Sequence, residues 1–141
     1  MRRTTKPRAP RAARQPTEAQ LHLAVAQYLD AVLLPPTWWS TIPLGGGGRI
    51  RGAQLKARGV KAGIPDILIL HEGRLYGLEL KVGYGKQSLI QLSTEREMLD
   101  AGMAGSGVAK SIDQVSYLLD FVFRIPTRQA PLLRMQARAA E

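Results

Sequence analysis

The segment from Gly63 to Val82, GIPDILILHEGRLYGLELKV, limits the folds open to this chain more than any other part of its sequence. Two runs rich in branched and aromatic residues flank HEGR, and Glu72-Gly73 within it is typical of a two-residue hairpin turn. The turn also fixes the register of the two strands. The sequence therefore predicts an antiparallel hairpin in which Asp66 lies directly opposite Glu79.

This hairpin carries charged side chains where a packed sheet favours apolar ones. Alternation puts Lys81 on the same face as Glu79, opposite to the apolar face. Directly opposed residues have Cβ atoms about 4.5–5.5 Å apart, a separation at which the carboxylates of Asp66 and Glu79 repel each other. A divalent cation relieves that repulsion, and oxygen ligands suit Mg²⁺ or Mn²⁺. The structural alternative is an exposed Glu79–Lys81 ion pair, with Asp66 capping the start of its strand.

The rest of the sequence predicts helices and strands around the hairpin. A capping-box pattern starts a helix at Thr17, WWSTIPL at 38–44 indicates an edge strand, and GGGG at 45–48 indicates a flexible loop. Helices are expected over 88–101 and 112–123, with a short strand, SGVAKS, between them. The resulting order, α-β-β-β-α-β-α, predicts one α/β domain built on a mixed central β-sheet flanked by helices.

Apolar periodicity predicts which residues face the core. In the hairpin these are Ile67, Ile69, Tyr76, Leu78 and Leu80. In the helices they are Leu21, Val25, Tyr28, Leu29 and Val32, then Leu89, Leu92, Met98 and Leu99, then Val115, Leu118, Leu119 and Val122.

The net charge of +9 is concentrated at the two ends of the chain. We expect a disordered basic arm over residues 1–16, a folded domain over 17–123 and a basic tail over 124–141. Basic segments of this kind favour a polyanionic partner, most simply nucleic acid. An acid-free block that precedes Asp66 supplies the predicted phosphate contacts: Arg49, Arg51, Lys56, Arg58 and Lys61.

Some classes of protein are excluded or disfavoured by composition. The absence of cysteine excludes disulfides and thiolate metal sites. No apolar run approaches the roughly 18 residues that a membrane span needs, and the N-terminus lacks the pattern of a secretory signal. The expectation is a cytoplasmic protein with no membrane partner.

Three short motifs together resemble the VRR-Nuc family, in its stand-alone phage or bacterial type, a branch of the PD-(D/E)xK nuclease superfamily. Pro65-Asp66 matches the Pro-Asp pair, Glu79-Leu80-Lys81 matches the E-x-K element, and Ser88 with Gln91 matches the S-x-x-Q element that starts the following helix. The resemblance extends over about residues 17–122 and is most specific over 59–91.

The resemblance implies a restriction-endonuclease-like core and an endonuclease that uses Mg²⁺ or Mn²⁺ to cut DNA. It also implies a preference for branched DNA, as in Holliday-junction resolvases of repair or recombination, and it is compatible with a homodimer. The implied roles are metal ligation by Asp66, Glu79 and the backbone carbonyl of Leu80, catalysis by Lys81, assistance from Gln91, and a further metal ligand in Glu18.

Other readings of the same residues remain open. Glu18 is also an ordinary acid at a helix start, and Ser88 is better explained as an N-cap than as a catalyst. The whole chain could be a nucleic-acid-binding module that cleaves nothing. A restriction-type enzyme that reads a short sequence is a third hypothesis, although no base-reading element is recognisable.

Overall fold

A computed structural model describes residues 14–43 and 48–128 of the chain. Its elements, in order, are α1 (Glu18–Val32), β1 (Trp38–Thr41), α2 (Gly48–Ala57), β2 (Ile67–His71), β3 (Arg74–Leu80), α3 (Leu89–Asp100), β4 (Gly105–Ala109) and α4 (Ile112–Tyr117), which continues as a π-helical turn (Leu118–Val122). Most of the predicted basic arm, most of the basic tail and residues 45–47 of the predicted loop lie outside the described residues. No helix within 14–43 and 48–128 is long and apolar enough to cross a membrane.

The hairpin has the predicted turn and register. Glu72 and Gly73 both have positive φ angles, +49° and +75°, as a type I′ turn requires. His71 pairs with Arg74, and Ile67 pairs with Leu78 at the far end of the ladder. Continuing that register by one residue brings Asp66 opposite Glu79, as predicted.

The four strands form one mixed sheet in the order β1-β2-β3-β4. The first two pairings are antiparallel and β3 pairs with β4 in parallel. β1 lies at an edge, in agreement with the proline that follows it. The glycine-rich β4 is a full member of the sheet because its glycines admit close neighbours: a Cβ on Gly107 would lie 2.8 Å from the side chain of Leu118.

One face of the sheet, covered by α1 and α4, holds the hydrophobic core. The five hairpin residues predicted to face the core are all buried there, together with Leu21, Val25, Leu29 and Val32 of α1. Trp39 packs against this core, whereas Trp38, on the other face, is 58% exposed. The opposite face of the sheet carries Gly77 and Glu79.

Four positions predicted to face the core in the helices are exposed: Leu89, Leu92, Leu99 and Val122. Val122 is 49% exposed and Phe123 is buried instead, because the π-helical turn adds a residue to the period after Leu119. In α3 no residue is buried: Leu89 is 84% exposed and Leu92 is 47% exposed. Gln91 and Thr94 of α3 form hydrogen bonds to Glu79 and Ala62, and the apolar periodicity of the helix does not mark a buried face.

The folded domain extends beyond the predicted boundary at residue 123. Ile125 and Thr127 are buried, and the backbone amide of Ile125 donates to the carbonyl of Leu119. Thr127 forms an isolated β-bridge with Leu33, directly after α1. Residues 124–128 therefore belong to the domain and not to a tail.

Candidate active site

Asp66 is positioned by the proline before it. Pro65 is buried against Gly77 on β3, where an added Cβ would lie 2.8 Å from Cγ of Pro65. Only a glycine at position 77 leaves space for the Pro65 ring on the face of the sheet that carries Glu79. Asp66 follows immediately, and its Oδ2 accepts a hydrogen bond of 2.8 Å from the backbone amide of Leu80. The strand that carries Glu79 thus holds the Asp66 carboxylate in place.

Glu79 is the centre of the site. Its side chain is 3% exposed, and its Oε1 accepts a hydrogen bond of 2.7 Å from Nε2 of Gln91. Nζ of Lys81 lies 3.3 Å from the same oxygen. A carboxylate, an amide and an ammonium group therefore converge beside Asp66, on the face of the sheet opposite to the core.

Glu79 holds its proton unusually tightly. Burial raises the pKa of its carboxyl group most, and the neighbouring Asp66 carboxylate raises it further. The hydrogen bond and the positive charge of Lys81 act in the opposite direction, yet the pKa still reaches about 7, compared with an ordinary value of 4.5. The residual repulsion between the two acids is the property expected of a site that accepts a cation.

Gln91 is held at both ends of its amide. Ser88 is the N-cap of α3, and its hydroxyl accepts from the backbone amide of Gln91 while Oε1 of Gln91 accepts from the backbone amide of Ser88, at 2.8 Å. This capping box fixes which end of the amide is the oxygen, so Nε2 must face Glu79. Ser88 is an N-cap, as predicted, and Gln91 points from its helix toward the site, as predicted.

The loop that follows β3 is held in place by contacts with Lys110 and with the side chain of Lys81. Nζ of Lys110, directly after β4, donates to the carbonyl of Gly83 at 2.6 Å. A Cβ on Gly85 would lie 3.6 Å from Cβ of Lys81, so this loop also packs along the Lys81 side chain. These contacts restrict where the Lys81 ammonium group can reach.

A cavity of about 730 Å³ adjoins Asp66 and Gln91, the residue that contacts Glu79. Two members of the predicted basic block, Lys56 and Lys61, line it as well. The other members, Arg49, Arg51 and Arg58, are exposed on α2 or directly after it but do not line the cavity. The structure thus brings part of the basic block to the candidate site and leaves the rest on the surface of α2.

The donor set at Asp66 and Glu79 fits a magnesium-type site, which commonly uses one or two carboxylates and completes its shell with water and substrate oxygens. The predicted contribution of Glu18 is not seen. Across the described ranges no three His, Asp or Glu residues lie close enough to hold a metal ion, so Glu18 does not join the other two acids. Glu18 is exposed in the first turn of α1.

Three contacts that position segments around the site were not predicted from the sequence. Gly77 receives Pro65, Lys110 holds the loop after Lys81, and the segment before Pro65 is fastened to α3. In the last of these, Oγ1 of Thr94 donates to the carbonyl of Ala62 at 2.6 Å. Each contact joins residues far apart in sequence, and the only local signal was a glycine inside a strand, which often marks close approach of another segment.

Comparison with known proteins supports the fold. No protein-family model and no curated protein matches the sequence. A solved structure described as a VRR-Nuc domain protein is similar over 81% of this chain and 93% of its own, with a TM-score of 0.65 and 21% sequence identity. A second, described as a VRR-Nuc domain, is similar over 74% of this chain and 96% of its own, with a TM-score of 0.50 and 20% identity. The chain therefore has the α/β fold of VRR-Nuc domains, with a mixed four-stranded sheet and flanking helices.

Proposed function

We propose that this chain is a VRR-Nuc-type endonuclease that hydrolyses phosphodiester bonds of DNA with the help of Mg²⁺ or Mn²⁺. The observation that carries the proposal is the convergence of Lys81 and Gln91 on the buried carboxylate of Glu79, with Asp66 held beside it by the backbone amide of Leu80. The shared fold and the PD, E-x-K and S-x-x-Q motifs support it.

Asp66, Glu79 and the backbone carbonyl of Leu80 would hold the metal ion. When bound, such an ion lowers the pKa of water and neutralises charge on the phosphate. The protein's contribution is a pair of acids whose mutual repulsion favours a cation over an empty site. The backbone amide of Leu80 orients the Asp66 carboxylate for this task.

Lys81 assists the reaction at the phosphate. Its side chain is 17% exposed, and Nζ is restrained by Glu79 at 3.3 Å. An ammonium group held there donates to an attacking water and stabilises the negative charge that grows on the phosphate oxygens in the transition state. Gln91 keeps Glu79 in one orientation and, from the rim of the cavity, helps to hold water or substrate.

The basic residues bind the DNA backbone. Lys56 of α2 and Lys61 line the cavity, and the exposed Arg49 and Arg51 of α2 extend the positive surface. Contacts to phosphates of this kind give affinity that falls steeply with salt and carries no sequence information. A preference for branched DNA and action as a homodimer complete the proposal, since a junction offers two strands to two identical sites.

A cleavage assay tests the proposal directly. The full chain is incubated with linear, flap, fork and four-way DNA in Mg²⁺, in Mn²⁺ and in chelator. We expect products in metal, more from branched than from linear DNA, and none in chelator. Lys81→Ala should lose cleavage and retain binding, because the basic residues supply most of the non-specific affinity.

The outcomes separate the functions. If the protein binds DNA but yields no cleavage products with either metal ion, it is a nucleic-acid-binding module and not a nuclease. Equal cutting of every substrate would remove the branched-DNA preference alone, and normal cutting by Lys81→Ala would remove the role assigned to that residue.

A further inference from the structure

We propose that the cavity beside Asp66 and Gln91 receives one unpaired base of the DNA substrate, next to the phosphate that is cut. The inference rests on the proposed function and specifies its substrate class: DNA that contains an unpaired nucleotide at the cleavage position. Four observations carry it: the size and lining of the cavity, its free cations, its position and its fixed wall.

The cavity is large and mostly apolar. Its volume of about 730 Å³ falls within the roughly 300–1,000 Å³ of pockets that hold small organic molecules. It lies between α2, the segment before Pro65 and the start of α3, and its apolar walls include Leu55, Val60, Ile64 and Ile90. Aliphatic walls of this kind cover the flat faces of a nucleobase, as in enzymes that take a base out of the stack.

Positively charged side chains at the same cavity favour the binding of a nucleotide over that of a neutral apolar ligand. The ammonium groups of Lys56 and Lys61 are exposed at its rim, and neither forms an ion pair with any residue in the described ranges. An apolar pocket bordered by two unpaired cations matches a base attached to a phosphodiester backbone, whose phosphates lie on either side of the sugar. The charge complementarity therefore identifies the occupant as part of a nucleic acid strand.

The position of the cavity connects the base to the chemistry. Asp66 and Gln91 form part of its lining, so a base inside it belongs to a nucleotide adjoining the phosphate at Asp66 and Glu79. A base that is already unpaired enters at a lower cost than one that must leave a duplex. Selectivity for branched or otherwise interrupted DNA then follows from the cavity, without any reading of sequence.

One side of the cavity is fixed by contacts within the protein. Gly63, at φ +79°, lies so close to α3 that an added Cβ would be 2.7 Å from the carbonyl oxygen of Ile90. Thr94 donates to the carbonyl of Ala62 in the same contact. The segment that leads to Asp66 and the helix that carries Gln91 are thus fastened together along one side of the cavity.

The test measures binding of the full chain in chelator, so that it does not depend on cleavage. Two duplexes are compared by fluorescence anisotropy: one with a single unpaired thymine, and one with an abasic residue in its place. We expect the wild-type protein to bind the duplex with the unpaired base about tenfold more tightly, the size of one base contact.

Neutral substitutions on the cavity wall provide the second arm. Ile90→Ser, Leu55→Ser and their combination should reduce the preference for the unpaired base, with the double variant below about twofold. Leu92→Ser on α3 and Ile50→Ser on α2 are matched controls, because both residues are exposed on the same helices and neither lines the cavity. Ile90 is 59% exposed, so its replacement should leave the fold intact.

The results separate this inference from the proposed function. Equal affinity of the wild-type protein for the two duplexes overturns the base site, and so does an equal loss of preference in the control variants. If the preference holds while no metal supports cleavage, the base site stands and the nuclease proposal fails. If DNA is cut while the preference is absent, the nuclease proposal stands and the base site fails.

Discussion

Nε2 of Gln91 lies 2.7 Å from Oε1 of Glu79, and this hydrogen bond connects the first turn of α3 to the third strand of the sheet. The same glutamine completes the capping box with Ser88. One side chain therefore starts a helix and orients the central carboxylate of the candidate site. Substitutions at this position can separate the two roles.

Gln91→Glu should raise the pKa of Glu79 above about 7, because it places a second negative charge against that carboxylate while it keeps an oxygen to accept from Ser88. Titration of the Glu79 carboxyl group by NMR measures the shift. Ser88→Ala is the control: it should cost about 1 kcal/mol of stability through loss of the cap and leave the Glu79 pKa in place. A pKa that moves in the control and not in Gln91→Glu would contradict the role of the amide.

The stability of the metal-free protein should fall as the pH rises from about 4.5 to about 7. The folded protein keeps the proton of Glu79 to about pH 7, whereas the unfolded chain loses it near 4.5. Stability from this group is complete below the lower value and is lost as the pH rises through the higher one. At about 1.4 kcal/mol per pH unit, the loss is on the order of 3 kcal/mol.

Urea unfolding from pH 4 to pH 8 measures this effect. Glu79→Gln cannot ionise at that position, so its stability should decline less over the range, and the difference between the two proteins isolates Glu79. Parallel curves for both proteins would mean that burial and Asp66 do not hold the proton on Glu79.

Asp66→Asn should remove metal binding and lower the pKa of Glu79 toward its ordinary value, because one of the two charges that oppose each other is gone. In the wild-type protein, Mn²⁺ should raise the melting temperature, and more so above pH 7, where Glu79 is ionised. Thermal unfolding with and without Mn²⁺ measures both effects. Stabilisation of Asp66→Asn by Mn²⁺ to the wild-type extent would place the metal elsewhere.

Gly77→Ala should abolish most cleavage while the protein stays folded. The added methyl group would lie 2.8 Å from Pro65 and displace it. Because Asp66 is the next residue in the chain, its carboxylate would shift as well. The control is Ser93→Ala on α3, because Ser93 is exposed and does not line the cavity. Circular dichroism and the cleavage assay together check the pair. Full activity in Gly77→Ala would show that the position of Asp66 does not depend on this contact.

The hairpin was predictable because its determinants are local. Glu72-Gly73 defines the turn, the turn defines the register, and alternation assigns each following residue to a face. The opposition of Asp66 and Glu79 and the burial of Leu78 and Leu80 follow from those steps alone. The orientation of Gln91 toward the site came from the resemblance to the S-x-x-Q element of VRR-Nuc domains and not from a local rule.

The remaining features depend on packing between distant segments, which periodicity does not report. The room that Gly77 leaves for Pro65 and the attachment of Thr94 to Ala62 are contacts across the fold. Leu89 and Leu92 are exposed although their spacing is typical of a buried helix face, because no other described element covers that face. At Val122 the error arises from an assumed regular α-helical period, which the π-helical turn breaks.

The parallel pairing of β3 with β4 has a consequence for the order in which the candidate site forms during folding. A short β-turn brings Asp66 and Glu79 together, a closure that occurs early and rapidly in a chain. Gln91 reaches Glu79 only after α3 has folded back onto the sheet, and Lys110 reaches the loop at Gly83 only after β4 has aligned beside β3, closures of much longer range. A chain that has emerged only as far as Val82 thus carries both acids and the Leu80 amide that holds Asp66, but it lacks Gln91, which orients Glu79, so the complete candidate site forms only later.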